Sequence, residues 1–136
     1  MNMKIGVSQK AIILNKEGML LAVHRTETAP SNANRWDFPG GGINFKEDAI
    51  ESIKREIKEE TSLEVEDVRP FDVIAEWFED GNWVTIGYVA KAKLEEVKLS
   101  YEHDEYKWVT PEEFLELDSA DKLKTFVKNY VERIRK

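Results

Sequence analysis

The pattern of apolar and polar positions sets out, in order, a strand hairpin, a long loop, a helix, a second hairpin, one more strand and a final helix. Lys4 to Leu14 reads as a strand ending in the apolar run Ala11-Ile12-Ile13-Leu14. Asn15-Lys16-Glu17-Gly18 is a turn signal that returns Met19 to His24 as its partner. The polar stretch from Arg25 to Arg35, with Pro30 and two Asn, predicts a loop that is either the wall of a substrate pocket or plain mobile surface. Trp36-Asp37-Phe38-Pro39 predicts a short strand, stopped by proline before Gly40-Gly41-Gly42. A helix is expected from about Phe45 to Thr61, with Lys46-Glu47-Asp48 placing acidic residues in its first turn, where they favour the helix dipole. Phe71 to Phe78 and Trp83 to Ala92 read as strands around the turn Glu79-Asp80-Gly81-Asn82.

Farther along, Tyr101-Glu102-His103-Asp104-Glu105 reads as an acidic loop, with His103 at the surface, before the strand Tyr106 to Val109. Thr110-Pro111-Glu112-Glu113 is a helix-start signature that opens a short turn. Asp118 or Ser119 is expected to cap the last helix, where Leu123, Phe126, Val127, Tyr130, Val131 and Ile134 recur at core-facing spacing. Interleaved strands and helices predict an α/β chain with a mixed sheet between helices, in one domain over residues 1–136.

On a helical wheel the first helix places Ala49, Ile50, Ile53 and Ile57 in one arc about 100° wide. Glu60 falls inside that arc, Glu56 lies at its edge, and Glu59 is about a third of a turn further round. Carboxylates aimed along a packing face are costly unless protonated, paired or metal-bound. The i, i+3, i+4 spacing puts their oxygens on adjacent turns, close enough to share hard cations of the Mg²⁺ type. The alternative is a charged helix whose Glu residues pair with Lys54, Arg55 and Lys58. The glycine loop and the apolar arc favour the metal reading.

Composition narrows the partners. A formal charge of −7 argues against non-specific binding to nucleic acid, which runs on basic surface, but not against a small anion bridged by metal ions. Two histidines leave little for a histidine-rich zinc site. No apolar run reaches the roughly 20 residues that span a bilayer. The start MNMKIGVSQK has no secretory pattern, and the absence of cysteine fits a cytoplasmic protein.

Gly41, five residues, Glu47, seven residues, Arg55-Glu56-Ile57, one residue, Glu59-Glu60, one residue, Ser62-Leu63 resembles the Nudix box of the Nudix hydrolases, which cleave nucleoside diphosphates linked to another group. Eight of the nine fixed positions agree. Ser62 stands where the family has Gly, at a point just past the helix end where a left-handed backbone is usual. The resemblance implies a Nudix-like α/β/α sandwich and Mg²⁺ as cofactor, with Mn²⁺ as a substitute. It assigns Glu56, Glu59 and Glu60 as metal ligands, with the Gly40 carbonyl and Glu102 or Glu105 as further candidates. Arg55 would orient a carboxylate through a bidentate contact, and Glu47 would support it from the helix start. The base that takes a proton from water stays open among Glu56, Glu60 and the Glu102/Glu105 loop.

For the substrate, Gly41 would let phosphate approach the backbone, and Trp77 and Trp83 would either stack on a base or pack the sheet. Phe78 to Gly81 hold neither the Pro nor the Tyr that marks the ADP-ribose and dinucleoside polyphosphate subfamilies. Compactness and the acidic loop before Trp108 resemble instead the nucleoside triphosphate pyrophosphatases, including those for oxidised nucleotides. Asp118 and Asp121 lie in the region that reads the base in these enzymes, although helix capping explains Asp118 equally well. ADP-ribose or nucleotide-sugar hydrolysis, and a non-catalytic nucleotide sensor, are the alternatives. The expected partner is a small nucleotide, with no nucleic acid or membrane, and the protein a monomer or homodimer.

Overall fold

The computed structural model describes residues 4–135. Strands β1 (Lys4–Leu14), β2 (Leu20–Arg25), β3 (Trp36–Asp37) and β4 (Gly40–Gly42) lead into helix α1 (Ala49–Thr61). After it come β5 (Val65–Phe78), β6 (Gly81–Ala92), β7 (His103–Val109), α2 (Pro111–Leu115) and α3 (Asp121–Arg133). The seven strands form one mixed sheet in the order β3-β2-β1-β6-β5, with β4 added to β1 and β7 to β2. β1 and β6 run parallel from Lys4↔Gly81 to Leu14↔Lys91, and the other pairings are antiparallel.

Side chains alternate across β1 and so feed two cores. Ala11 and Ile13 pack with Leu21, Ile53 and Ile57 on the α1 side. Ile12 packs with Leu20, Phe38, Phe114 and Phe126 on the side of α2 and α3. The result is the expected α/β/α sandwich. β1 and β2 share only the register pair Leu14↔Leu20 before parting, and β4 takes the place beside β1 from Ser8 to Lys10. The glycine strand, and the helix that follows it, are thereby set into the split of the sheet. Among the described residues, no helix is long and apolar enough to cross a membrane.

Four expectations are corrected in detail. Helix α1 begins at Ala49 and not near Phe45, because the Asp48 carboxylate accepts the N–H groups of Ile50 and Glu51 as N-cap and Lys46 takes a left-handed φ of 66°. Glu47 thus precedes the helix and is free to reach back to it. Helix α3 has Ala120 as N-cap, with no side-chain cap bond, so neither Asp118 nor Ser119 has that role. β5 starts at Val65, six residues before Phe71; its edge position and its two register shifts tolerate Pro70 inside the strand. His103 is buried, at 4% exposure, within β7. Thr110 and Glu113 form the anticipated capping box around Pro111.

Ser62 occupies the left-handed position at the end of α1, with φ 66° and ψ 8°. Its hydroxyl donates to the Lys98 carbonyl at 3.1 Å from an exposed site. Ser62→Gly is expected to stabilise the protein by up to about 1 kcal/mol. Thermal denaturation should register this as a rise of about 2–4 °C in Tm; an unchanged or lower Tm would mean that the hydroxyl bond outweighs the backbone strain.

Candidate active site

Helix α1 presents its C-terminal half to the glycine strand. The Glu60 side chain is only 4% exposed, and its Oε2 accepts the Gly40 N–H at 3.3 Å. Glu56, at 17% exposure, lies directly under Gly41: a Cβ at that position would come within 2.8 Å of both carboxylate oxygens. A side chain at 41 would therefore displace the Glu56 carboxylate from its place. Gly40 is held as tightly on its other side, where a Cβ would strike the Gln9 carbonyl across the β1–β4 pairing.

Arg55 ties the acidic residues together. Its Nε and Nη2 make a bidentate contact with Glu47 at 2.7 and 3.0 Å, Nη1 donates to Glu59 at 3.1 and 3.2 Å, and Nη2 lies 3.1 Å from Glu56. The bidentate partner is Glu47, whose pKa the Arg55 hydrogen bonds hold down to about 2. Glu59, 57% exposed, is turned towards the guanidinium and away from Glu60. In this arrangement no three acidic or histidine side chains among the described residues converge tightly enough to enclose a metal ion.

Burial pushes the Glu60 pKa up to about 9; the Lys10 charge opposes this, while the Glu102 charge and a hydrogen bond shared with Glu56 reinforce it. Lys10 acts on Glu60 through its charge alone, its Nζ being bonded to Asp37 at 2.9 Å and to the Phe38 carbonyl. The donor set fits a hard divalent cation: two adjacent carboxylates, one nearly dry, beside backbone that has no side chain in the way. Glu102 is exposed and near enough for its charge to act on Glu60. Glu105 pairs across from His24, and strand alternation puts it with Lys107 and Val109 on the opposite face from α1.

The sign of the Glu60 shift gives a prediction. An acid whose folded pKa lies above its unfolded value favours the fold fully below about 4.5, and that contribution is lost as pH rises through about 9. Metal-stripped wild type should therefore lose stability relative to Glu60→Gln across this window, by at most about 1.4 kcal/mol per pH unit. Melts in a chelator at pH 5, 7 and 9 measure the difference; parallel curves for the two proteins would contradict it.

Next to Gly41 and Gly42 opens a cavity of about 180 Å³, lined by Ser8, Lys10, Arg25, Trp36, Asp37 and Lys122 among others. Three cations against one carboxylate make it a basic recess in a chain of net charge −7. The Arg25–Arg35 loop contributes Arg25, Ser31 and Asn32, so part of it is pocket wall. Trp77, at 79% exposure, lies on the outer end of the β5–β6 ribbon, and Trp83 packs over Gly6. Neither lines the cavity. Asp118 is exposed and paired with Arg35, and Asp121 is the exposed first residue of α3; the α3 residues that line the recess are Lys122 and Leu123.

Sequence reasoning missed Lys10, Arg25, Trp36, Asp37, Lys122 and His103. Their juxtaposition depends on the parting of β1 from β2, for which the local pattern carries no signal. Arg25 alone could have been singled out, as the first residue of the loop whose role was left open.

Comparison with known proteins places the chain in a family and a fold. The sequence pattern of the NUDIX domain matches residues 4–130. The RNA pyrophosphohydrolase of Haemophilus influenzae (strain PittEE) is 38% identical over 66 residues, 48% of this chain and 31% of that protein. The RNA pyrophosphohydrolase of Pseudomonas paraeruginosa is 41% identical over 58 residues, 43% of this chain and 33% of that protein. The matches thus span about a third of the length of these curated relatives. The MutT protein from Methanosarcina mazei Go1 superposes with a TM-score of 0.84 at 29% identity, over 100% of this chain and 99% of that one. The NUDIX domain of Shewanella oneidensis NrtR, solved with ADP ribose, gives 0.82 at 17% identity, over 96% and 89% of the two chains, a likeness of fold.

Proposed function

The chain belongs to the NUDIX family, whose hydrolases act on pyrophosphate bonds with divalent cations, and from that premise we propose that it cleaves a nucleoside triphosphate, or its oxidised form, to the monophosphate and pyrophosphate. The observation that carries the reading is the dry Glu60 carboxylate, bonded to the Gly40 N–H, with Glu56 next to it at Gly41. Phosphates need cations as well as a metal-binding carboxylate set, and Gly41 borders both, touching Glu56 and lining the recess that holds Lys10, Arg25 and Lys122.

Glu56, Glu59 and Glu60 would hold the cation, Mg²⁺ in this reading, with the Gly40 carbonyl and Glu102 as further donors. When bound, it neutralises phosphate charge and lowers the pKa of a coordinated water. The protein's own part is positioning. Arg55 holds Glu56 beside Gly41 and is itself anchored by Glu47, while Glu59, paired with it at the surface, would have to leave it to join the cation. Gly41, with no side chain, lets the Glu56 carboxylate lie against the glycine strand. Lys10, Arg25 and Lys122 supply positive charge to the nucleotide, and Trp36 offers an aromatic wall; Asp37 holds both Lys10 and Arg25 in place. Glu56, Glu60 or Glu102 takes the proton from the attacking water.

The triphosphorylated 5′ end of RNA is a second reading, favoured by the names of the partly matching relatives. The charge of −7 and pI near 5.0 disfavour a long polyanion. The test is incubation with Mg²⁺ and a panel of normal and oxidised (d)NTPs, 5′-triphosphorylated RNA, ADP-ribose and sugar nucleotides, with identification of products. Monophosphate plus pyrophosphate from the (d)NTPs is expected. Preferred turnover of RNA or ADP-ribose would redirect the assignment, and no product from any substrate would leave a nucleotide sensor.

A further inference from the structure

Beside Glu60 lies the imidazole of His103, whose side chain is 1% exposed and whose two ring nitrogens have no hydrogen-bond partner. A buried polar group left unpaired costs about 1–3 kcal/mol, so its presence here calls for a reason. A β-bulge aims it: β7 pairs Glu105 with His24 and His103 with Arg25, leaving Asp104 as the extra residue. The bulge turns the ring inward to the end of α1, with Nε2 3.9 Å from Glu60 Oε1.

The other acidic groups near the ring are engaged. Asp104 Oδ1 is bonded to His24 Nδ1 at 2.7 Å, and Asp37 is bonded to Lys10 and to the Phe38 N–H. Glu60 remains: its Oε2 takes the Gly40 N–H, and its Oε1 faces His103. An imidazole carries at least one ring N–H in either protonation state, so the ring has a donor to offer.

We propose that His103 is a positioning residue for Glu60: its Nε2–H closes onto Oε1 and fixes the side chain between ring and Gly40 N–H with lone pairs free for a divalent cation. This rests on the active-site reading above. The 3.9 Å separation leaves about 1 Å to close before it matches an ordinary N–H···O bond. A partner of this kind outside the ligand set typically governs about 10–100-fold in metal affinity.

The test is Mn²⁺ binding to the substrate-free protein, followed by electron paramagnetic resonance, in wild type, His103→Gln, His103→Asn and His103→Leu. His103→Leu is expected to bind Mn²⁺ at least about tenfold more weakly. His103→Gln, whose amide nitrogen can stand near the position of Nε2, should recover most of the loss, and His103→Asn, which mimics Nδ1, should not. In turnover, the His103→Leu defect should shrink as Mn²⁺ is raised, with KM for the nucleotide unchanged. Wild-type Mn²⁺ affinity in His103→Leu, or no recovery in His103→Gln, would overturn the assignment. Glu56→Gln is the control that separates the two failures: if it binds Mn²⁺ as wild type does, the active-site reading itself falls.

Discussion

Glu59→Gln is expected to lower kcat on a nucleoside triphosphate at least about a hundredfold, some 2.7 kcal/mol in the barrier, while the protein melts within a degree or two of wild type. The two halves of the expectation come from one observation. Glu59 is 57% exposed, and its protein partner is Arg55 one turn back. Removing its charge opens no cavity and unpairs no buried group. An exposed i,i+4 ion pair contributes only about 0.3–0.5 kcal/mol, so stability barely changes. Catalysis, by contrast, would lose one of the three carboxylates proposed to hold the cation. Arg55 must release Glu59 for that to happen, and the exposed geometry leaves the side chain free to swing. Melting curves and steady-state kinetics on the same preparation decide the matter; near-normal turnover would remove Glu59 from the metal set.

A second loss of similar size, about a hundredfold in kcat, is expected for Arg55→Lys, this time with a lower Tm. A lysine keeps the charge but presents one point of contact where the guanidinium presents a fork. Arg55 now meets Glu47 through two nitrogens and reaches Glu56 and Glu59 with the remaining donors. No single ammonium serves Glu47 and Glu56 together in that geometry, so Glu56 would drift and Glu47 would lose the bonds that hold its pKa near 2. Because Glu47 acts through Arg55, Glu47→Gln combined with Arg55→Lys should cost little more than Arg55→Lys alone. Independent, additive losses would show that the two residues act separately.

The sequence was most legible where chemistry and periodicity coincide. The box helix announced both its buried face and its misplaced carboxylate, and Glu60 is indeed buried along that face. The capping box at Thr110 and the Asn15 turn were readable because their signals are local. The other side of the cleft was not, since Lys10, Arg25 and Lys122 come from three separate elements and meet only when the sheet parts. His103 was misread for a related reason. The chain about it is acidic and polar, and an inserted bulge residue leaves no mark on alternation until its partner strand is known. The start of α1 was placed too early because Lys46-Glu47-Asp48 suits a first helical turn, whereas Asp48 is the better cap.

The partnership of β1 with β6 has a bearing on how the chain is made. Ser8 and Thr85, hydrogen-bonded across it, are 77 positions apart. Translated at about 5–20 residues per second, the N-terminal strand waits roughly four to fifteen seconds for the segment that completes its side of the sheet. Within that interval the segment bearing Glu60 is made, but Ile53 and Ile57 have only part of the surface that will cover them, since Tyr88 and Ala90 come later. The nascent protein therefore passes through a stage with the apolar stripe of a mostly charged segment lying on an unfinished sheet, the stage at which chaperones would be needed most.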